Sequence, residues 1–387
     1  MTSAGSLPRV AIDLEKLRHL NTGLGRFSLH LGTELITMAE GRFHPVFFIP
    51  DGCESYFPEA AVDRITATEW KKESLRRIAR PLLQPLLPRS RLALWHATHQ
   101  SAKYLPLDSR IPVLLTIHDL NFLHDADAPE KGRGLTARQR RKLAGVQRLV
   151  DRSAAITTVS QFTADDVRRH LRVGRKAIHV IPNGVAPPGV ASAARPKWVP
   201  AGAFFLTVGN CVPHKNFHVL LGMIEAMSES RLVIAGKKAT SYGASMEREI
   251  VRRGLTDRVF MPGEVSDADR QWLYQNCEAF LFPSLAEGFG FPVLEAMQCG
   301  KPVFVSRATS LPEIAGEGGF FFDSFDGAAM AATVRAGVTA ASQEAGRAAR
   351  ARMQAASFSW TNAAQKYADV YERVMESCDA QGSRGHA

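Results

Sequence analysis

Residues 282–300 of the 387-residue chain read FPSLAEGFGFPVLEAMQCG. An apolar, strand-like run ends at Phe282, a loop with two glycines follows, and a helical pattern begins near Pro292. Proline suits the first turn of a helix because the N–H group that it lacks would have no partner there. Gly300 reads as the end of that helix. The stretch therefore predicts a strand, a tight loop and a helix in succession, which is the repeating unit of a parallel sheet.

The same alternation of strand-like and helical segments extends in both directions from this stretch. In the first half, strand-like runs occupy residues 9–14, 45–49, 92–97, 113–117, 155–159 and 177–181. In the second half, they occupy residues 204–208, 231–235, 259–261, 279–282, 302–306 and 319–322. The clearest helical stretches are residues 216–226, 267–276 (with Ser266 as its N-cap) and 293–299. We therefore predict an α/β fold with two Rossmann-like, parallel-sheet domains.

A segment rich in proline, glycine and alanine separates the two halves. Residues 186–202 read APPGVASAARPKWVPAG, a composition typical of an interdomain linker. The chain is long enough for two domains of about 150–200 residues each. We therefore place the domain boundary near residue 190.

The composition excludes several classes of protein. Hydrophobic residues make up 45% of the chain, which is enough to build full cores. The five cysteines are scattered and none forms a CxxC pair, so neither a zinc site nor a disulfide framework is predicted. No stretch of signal-peptide type begins the chain, and no run of about 18 apolar residues occurs. We therefore expect a cytoplasmic protein in a reducing compartment.

The positive charge of the chain is unevenly distributed. The whole net charge of +10 lies in residues 1–190, while residues 191–387 are neutral overall. This asymmetry indicates an anionic partner, such as nucleic acid, an acidic membrane surface or a phosphorylated acceptor. A basic surface without a dedicated partner is the alternative.

Two glutamates of the opening stretch suit the recognition of hydroxyl groups. Glu287 lies on the loop and Glu295 lies inside the helix. Carboxylates at a strand-to-helix switch can accept hydrogen bonds from vicinal hydroxyls, as on a sugar and a ribose. Backbone N–H groups at the start of the helix make an anion site that suits a diphosphate. The alternative is that both glutamates belong to a solvated helix surface.

Residues 282–316 resemble the E-x7-E signature of the family 4 glycosyltransferases, which are retaining enzymes with a GT-B fold. The resemblance implies two Rossmann-like domains that face each other across a cleft. It assigns Glu287 to the transferred sugar as a catalytic residue and Glu295 to the ribose hydroxyls. Further donor contacts would come from Gly288, Phe289, Gly290 and Leu294. It also implies an acceptor-binding domain at residues 1–190, a donor domain at 191–358, and a C-terminal helix at 359–387 that packs back toward the N-terminal domain and ends in a frayed tail.

A second motif, residues 206–217, reads LTVGNCVPHKNF. Lys215 is placed to contact phosphate oxygens as a point charge. The resemblance implies that an arginine and this lysine clamp the diphosphate, but Asn210 stands at the arginine position, so half of the expected clamp is missing. His214 is a candidate replacement. The alternative for Lys215 is a surface lysine at a helix start.

Two further motifs lie in the first half. In residues 114–120, LLTIHDL, an apolar strand delivers His118 to its carboxyl end, where ligands bind in open α/β sheets. The resemblance gives His118 a catalytic contact with the transferred sugar, and Asp119 could orient the imidazole. In residues 22–27, TGLGRF, Gly23 and Gly25 allow a tight turn and a close approach of the backbone to a ligand. The resemblance implies a glycine-rich loop at this place that faces the donor. A structural histidine and an ordinary turn are the respective alternatives.

Neither a metal nor a cofactor other than the nucleotide-sugar donor, linked to GDP or UDP, is expected. Two DxD strings, at residues 125–127 and 267–269, lack a further carboxylate at metal-ligand spacing.

Basic and apolar residues mix at positions 70–91, and more basic residues follow at 133–148. Such segments suit peripheral contact with an anionic membrane, here its inner face, although solvated helices are the alternative.

The resemblance predicts a retaining hexosyltransferase of cell-surface polysaccharide or lipopolysaccharide synthesis. The favoured reaction moves mannose from GDP-mannose to a saccharide or lipid-linked saccharide acceptor, with UDP-hexoses and dTDP-rhamnose as open donors. One alternative is a nucleotide-sugar epimerase or phosphorylase of the same fold. A basic nucleic-acid-binding protein is the alternative of another class, but no zinc pattern, helix-turn-helix or aromatic-rich basic motif supports it.

Overall fold

Two separate parallel sheets organise the chain in the computed structural model, which describes residues 6–58, 62–67, 90–124, 134–192, 194–199, 201–344 and 346–384. The chain divides into two units. Unit 1 takes its residues from Met1–Leu120, Thr136–Gly184 and Ser359–Ala387, and unit 2 from Asn121–Leu135 and Val185–Phe358. The predicted α/β class with two Rossmann-like domains is confirmed.

Unit 1 is built on a sheet whose strands are all parallel. Its described strands are β1 (Arg9–Asp13), β2 (His44–Pro50), β3 (Asp63–Ala67), β4 (Leu92–Ala97), β5 (Val113–Ile117), β6 (Ala155–Thr158) and β7 (Ile178–Val180). They follow the order β3-β2-β1-β4-β5-β6-β7. Its described helices are α1 (Gly23–Met38), α2 (Ala137–Arg152), α3 (Gln161–His170) and, from the end of the chain, α11 (Trp360–Arg384).

Unit 2 repeats the same architecture with a six-stranded sheet. Its strands are β8 (Phe205–Val208), β9 (Leu232–Ala235), β10 (Val259–Gly263), β11 (Ala279–Phe282), β12 (Val303–Ser306) and β13 (Gly319–Phe322), in the order β10-β9-β8-β11-β12-β13. Its described helices are α4 (Val219–Glu225), α5 (Ser241–Arg252), α6 (Asp267–Asn276), α7 (Phe291–Gln298), α8 (Leu311–Ala315), α9 (Gly327–Gln343) and α10 (Arg347–Ala356).

Continuous apolar runs formed the predicted strands because parallel sheets are covered on both faces. Every residue of β5 and of β11 is buried. The predictions missed β3, whose sequence DRITA shows no apolar run. This strand lies at the sheet edge, where Asp63 forms an ion pair with Arg9 of β1 and stays half exposed. Edge strands tolerate such charges, so hydrophobicity alone does not reveal them.

The strand order reverses at one place in each sheet. In unit 1 this topological switch lies between β1 and β4, and in unit 2 it lies between β8 and β11. Ligands of open α/β sheets bind outside the carboxyl ends of the strands at such a point. The two switches therefore define where each unit can hold a ligand.

The segment predicted as a linker packs against unit 2. The Ser192 N–H donates to the Ala268 carbonyl over 3.0 Å, and its hydroxyl donates to Asp269 Oδ1 over 2.6 Å. The side chain of Ser266 accepts a hydrogen bond from the Asp269 N–H, which confirms its predicted role as N-cap of α6. Within the described ranges, no helix is long and apolar enough to cross a membrane.

Helix α11 belongs to unit 1 although it follows unit 2 in the sequence. Tyr367 and Tyr371 of α11 are fully buried. The Tyr371 hydroxyl lies 2.8 Å from Nδ1 of His96 on β4, and the Tyr367 hydroxyl lies 3.3 Å from Thr116 on β5. Buried polar groups require partners of this kind, so the hydroxyls fix how α11 lies on the sheet.

Candidate functional site

The loops that follow β8 and β11 are bonded to each other at the switch point of unit 2. The carbonyl of His214 accepts hydrogen bonds from the Leu285 N–H over 2.7 Å and from the Ser284 hydroxyl over 3.1 Å. The two motifs of the second half, about 70 residues apart in the chain, therefore form one structural site, as the meeting of parallel strand ends requires.

Lys215 and Glu287 form an ion pair at this point. Lys215 Nζ lies 2.6 Å from Glu287 Oε1, and the two side chains are only 13% and 12% exposed. The same ammonium lies 4.8 Å from the centroid of the Phe282 ring, a cation–π contact. The pair holds a positive charge, which could bind a phosphate, beside a carboxylate that could bind hydroxyls.

The turn that presents Lys215 differs from the predicted helix start. A 3-10 turn, Pro213–Lys215, ends at Asn216, which has a φ of 58° and is buried. Asparagine tolerates this left-handed conformation. Helix α4 consequently begins at Val219 rather than at residue 216. Asn210, which stands at the position of the expected arginine, is exposed on the same loop.

Backbone groups around Glu287 are held by the loop that follows β12. The Thr309 hydroxyl oxygen accepts a hydrogen bond from the Glu287 N–H over 2.9 Å. The Ser310 hydroxyl lies 3.0 Å from the Glu287 carbonyl and 2.7 Å from the Phe289 carbonyl, to which it donates. The sequence analysis missed both hydroxyls, because no local pattern marks them.

Glu295 has a different partner from Glu287. Its Oε2 accepts a hydrogen bond from the hydroxyl of Tyr274 on α6 over 2.7 Å, and Tyr274 is only 1% exposed. The two glutamates thus belong to one loop–helix segment, but each is oriented by its own neighbour. Tyr274 is a further residue that the sequence analysis missed, since it lies 21 positions before Glu295.

The remaining predicted donor residues around α7 are mostly buried. Gly288, Phe289 and Gly290 are all buried, and Gly290 precedes the helix with a φ of 133° that favours glycine. The Phe289 ring packs against Phe291 at 5.2 Å between centroids. The side chain of Leu294 is fully buried, so its contact with a donor would be through the backbone.

In unit 1, the imidazole of His118 is buried at the carboxyl end of β5. Its Nε2 lies 2.8 Å from the Thr98 carbonyl, which can only accept, so Nε2 carries the hydrogen. Burial lowers the pKa of His118 from 6.5 to about 4, so the ring is neutral at pH 7. Nδ1 then holds a lone pair that can accept a hydrogen bond from a hydroxyl. The Thr98 carbonyl thus orients the imidazole of His118, a role that the sequence analysis assigns to Asp119.

The glycine motif and His118 come together through helix α1. Gly23 and Gly25 lie in the first turn of α1 and not in a loop, and the Thr22 side chain caps that turn by accepting from the Gly25 N–H. A Cβ at position 25 would lie 2.1 Å from the His19 carbonyl oxygen, which explains the glycine. One turn later, the Phe27 ring meets the His118 ring edge-on at 4.5 Å.

An acidic and histidine-rich cluster lies at the switch point of unit 1 and was not predicted. Burial raises the pKa of Asp13, at the end of β1, to about 7. Glu15 forms an ion pair with Lys16 at 3.0 Å, and its carboxylate lies 3.9 Å from Nε2 of His99. The pKa of His99 lies well below 6.5 because of burial. The only signal in the sequence was that polar residues follow two buried strands.

Of the two DxD strings, the one at residues 267–269 lies in the described part of the chain. Asp267 pairs with Arg270 at 2.7 Å, and Asp269 accepts from Ser192. Asp125 and Asp127 lie outside the described residues. No group of three or more His, Cys, Asp or Glu side chains suited to a metal ion occurs among the described residues.

Comparisons with known proteins cover both units. Residues 22–187 match the family described as Glycosyltransferase Family 4, and residues 193–352 match the family described as Glycosyl transferases group 1. The chain is 27% identical to the O-antigen chain mannosyltransferase B of Escherichia coli over 401 aligned positions, which cover 94% of this chain and 99% of that protein.

Solved structures share the fold over nearly the whole chain. The sucrose-phosphate synthase of Thermosynechococcus elongatus aligns with a TM-score of 0.71 at 16% identity, covering 96% of this chain and 100% of the other. Anabaena HepE in complex with UDP-glucose aligns with a TM-score of 0.60 at 19% identity, covering 97% and 99% of the two chains. At such identities, the likeness concerns the fold.

Proposed function

Because the chain belongs to the glycosyltransferases, with one family match in each of its two GT-B units, we propose that it is a retaining hexosyltransferase with a nucleotide-sugar donor. The observation that carries the proposal is the Lys215–Glu287 pair at the switch point of unit 2, with Glu295 on the helix that follows. A cation for phosphate and two carboxylates for hydroxyls are the groups that a nucleoside diphosphate sugar requires.

The donor that we propose is GDP-mannose, and the pathway is cell-surface polysaccharide synthesis. The support is the relative described as an O-antigen chain mannosyltransferase, which aligns along almost its whole length. UDP-hexoses and dTDP-rhamnose are the other candidates, and a structural neighbour is described in complex with UDP-glucose.

Unit 2 would stabilise the charge that develops as the nucleoside diphosphate leaves. Lys215 and the backbone N–H groups at the start of α7 would bind the diphosphate oxygens. Glu295 would accept hydrogen bonds from the ribose hydroxyls and Glu287 from those of the transferred sugar. Retention would follow if the acceptor hydroxyl attacks the anomeric carbon from the face that the diphosphate leaves, its proton passing to a leaving-group oxygen.

Nucleotide binding tests the donor site. GDP, UDP and dTDP are titrated against the wild type and against Lys215→Met and Glu295→Gln, and the melting temperature is followed. A nucleotide that binds the folded state raises the melting temperature. At a hundredfold excess of nucleotide over Kd, the free energy of unfolding increases by about 2.7 kcal/mol. We expect one nucleotide to raise the melting temperature of the wild type but not that of either variant. Lys366→Met, a substitution at an exposed position of α11, is the control and should keep the shift. The proposal is wrong if no nucleotide shifts the wild type.

Product analysis separates the transferase from its two alternatives. Radiolabelled GDP-mannose, UDP-hexoses and dTDP-rhamnose are incubated with and without a saccharide acceptor. A transferase releases nucleoside diphosphate and labels the acceptor, an epimerase isomerises the sugar without acceptor, and a phosphorylase needs inorganic phosphate. The anomeric configuration of the labelled product, determined by NMR, tests retention.

We also propose that unit 1 lies against an anionic membrane and there meets a lipid-linked acceptor. Residues 70–89 and Arg133 lie outside the described residues, but the basic residues of α2 are described. Its exposed side chains, which we call the α2 basic face, are Arg138, Arg140, Arg141, Lys142 and Arg148. Each charge near an anionic surface contributes about 1 kcal/mol.

Co-sedimentation with vesicles tests the membrane contact. We expect binding to vesicles that contain phosphatidylglycerol and none to neutral phosphatidylcholine vesicles. The double variant Arg141→Glu and Arg148→Glu should bind more weakly, while Arg248→Glu and Arg335→Glu on unit 2 serve as a charge-matched control. Equal binding of the two double variants would contradict a role for the α2 basic face.

A further inference from the structure

Thr309 adopts a backbone conformation that threonine rarely takes. Its φ is 52°, in the left-handed region, and it follows β12 on the loop beside Glu287. Among the described residues, the other non-glycine residue with positive φ is Asn216. Asparagine tolerates this region, whereas a β-branched side chain there is strained. Strain of this kind persists only where the surrounding structure enforces it, and it concentrates at functional sites.

The side chain of Thr309 bonds to the backbone of a predicted catalytic residue. Its Oγ1 accepts a hydrogen bond from the Glu287 N–H over 2.9 Å. The next residue, Ser310, is fully buried, and its hydroxyl hydrogen is shared between the Phe289 carbonyl at 2.7 Å and the Glu287 carbonyl at 3.0 Å. Both backbone polar groups of Glu287 are therefore held by neighbouring hydroxyls of one loop. The carboxylate held in this way reaches Lys215 at 2.6 Å.

Stability does not account for threonine at this position. Glycine would adopt the same φ without strain. The cost of the left-handed conformation for a β-branched residue is as large as, or larger than, the net contribution of one neutral hydrogen bond. A glycine at position 309 would therefore leave unit 2 about as stable, but it would remove the hydroxyl that fixes the Glu287 N–H.

We propose that Thr309 is a positioning residue for Glu287, whose strained backbone and hydroxyl hold the Glu287 peptide in the geometry that turnover requires. The inference rests on the proposed function, in which Glu287 contacts the transferred sugar. Thr309 acts through Glu287, because its hydroxyl oxygen binds the Glu287 N–H. A site held by fixed neighbours is already arranged when the substrate arrives, which lowers the cost of reaching the transition state.

Three substitutions separate the strain from the hydrogen bond. Thr309→Gly removes both, Thr309→Val keeps the branched shape but loses the hydroxyl, and Thr309→Ser keeps the hydroxyl. We expect Thr309→Gly to melt at or above the wild-type temperature while kcat falls about ten- to a hundredfold, the loss typical of a misplaced catalytic group. Thr309→Val should lose both kcat and melting temperature. Thr309→Ser should restore most of kcat, and KM for the donor should change less than kcat in all three.

A double-mutant cycle with Glu287→Ala tests whether Thr309 acts through Glu287. If it does, Thr309→Gly lowers kcat in the wild-type background but hardly at all when Glu287 is already alanine. If Thr309→Gly lowered kcat by the same factor in both backgrounds, or left kcat unchanged as a single variant, the inference would be overturned. The proposed function would still stand. If Glu287→Ala itself turns over as fast as the wild type, the catalytic role of Glu287 fails, and that result is read from the single variant.

Discussion

Burial decides the chemistry of His118. The ring is buried, its Nε2–H donates to the Thr98 carbonyl, and its pKa is lowered to about 4. A histidine in this state is neutral throughout the physiological range and cannot supply a positive charge to a leaving diphosphate. What it offers is the lone pair of Nδ1, which suits a hydroxyl of the sugar.

Two substitutions at His118 separate support of the fold from catalysis. His118→Gln retains an N–H that can donate to Thr98 but lacks the lone pair at the Nδ1 position, whereas His118→Ala loses both. We expect both variants to lower kcat by about ten- to a thousandfold with a smaller change in KM, and only the alanine variant to lose about 2 kcal/mol or more of stability. Wild-type turnover in His118→Gln would exclude the proposed contact.

Tyr274 provides a second prediction at the scale of single residues. Its hydroxyl donates to Glu295 Oε2 at 2.7 Å, so removing it frees the carboxylate that would bind the ribose. Hydrogen bonds to charged groups contribute about 1.5–3 kcal/mol. We expect Tyr274→Phe to raise the Kd of the nucleoside diphosphate about tenfold and to change kcat little, as measured by calorimetry and steady-state kinetics. Tyr56→Phe, at an exposed position, is the control, and equal affinities in the two variants would contradict the prediction.

At the scale of elements, local sequence accounts well for the strands. The predicted runs at 92–97, 113–117, 279–282 and 319–322 coincide with β4, β5, β11 and β13. Buried parallel strands are short and uniformly apolar, so composition alone marks them. The edge strand β3 has no such mark, and its charged residues are tolerated because, among the described strands, it has a neighbour on one side only.

Two glycines in helices of unit 1 predict opposite effects of alanine. At Gly25 in α1, a Cβ would lie 2.1 Å from the His19 carbonyl oxygen, so the helix would have to shift. At Gly145 in α2, the nearest atom is an Arg148 nitrogen at 3.7 Å. We expect Gly25→Ala to cost about 1–3 kcal/mol of stability and also turnover, since α1 carries Phe27 against His118.

Gly145→Ala should instead stabilise the chain by about 0.5–1 kcal/mol, because alanine favours the helix interior. Both effects are measured by chemical denaturation. If Gly25→Ala were as stable as Gly145→Ala, the close approach at His19 would not constrain α1.

At the scale of the whole molecule, this glycosyltransferase is built as two sheets, and unit 1 closes with helix α11 from the far end of the chain. That closure buries His96 against Tyr371, and burial lowers the pKa of His96 to about 3. The pKa of His99 and that of His118 are also depressed. Unit 1 therefore folds with three neutral histidines that take up protons once it unfolds.

Acid should consequently destabilise the protein. Below pH 6.5, the ordinary pKa of histidine, the unfolded chain binds protons that the folded chain does not. The free energy of unfolding therefore decreases as the pH is lowered. Asp13 acts in the opposite sense, because its pKa is raised to about 7 and the folded state keeps that proton longer. The destabilising effect of the three histidines exceeds the stabilising effect of the one carboxyl group. Each proton bound by the unfolded state but not by the folded state changes the free energy of unfolding by about 1.4 kcal/mol per pH unit.

We expect the melting temperature to fall steadily between pH 6.5 and about pH 5, a range in which ordinary carboxylates stay ionised. His96→Gln, which removes one of the titrating groups, should show a shallower decline. A melting temperature that is constant or rises on acidification would contradict the burial of neutral histidines in unit 1.

Local sequence was sufficient for the fold class and for placing several candidate residues near the ends of strands. Strand-to-helix alternation predicted two parallel sheets, and residues at the carboxyl ends of apolar runs, such as Lys215, Glu287 and His118, fell near the ends of strands. These features follow from periodicity and chain geometry, which nearby residues encode. Long-range packing settled the rest: the Lys215–Glu287 ion pair, the Tyr274 hydroxyl at Glu295 and the left-handed Thr309. Each depends on groups brought together from distant positions, and the protonation of His118 depends on burial, which no local pattern reports.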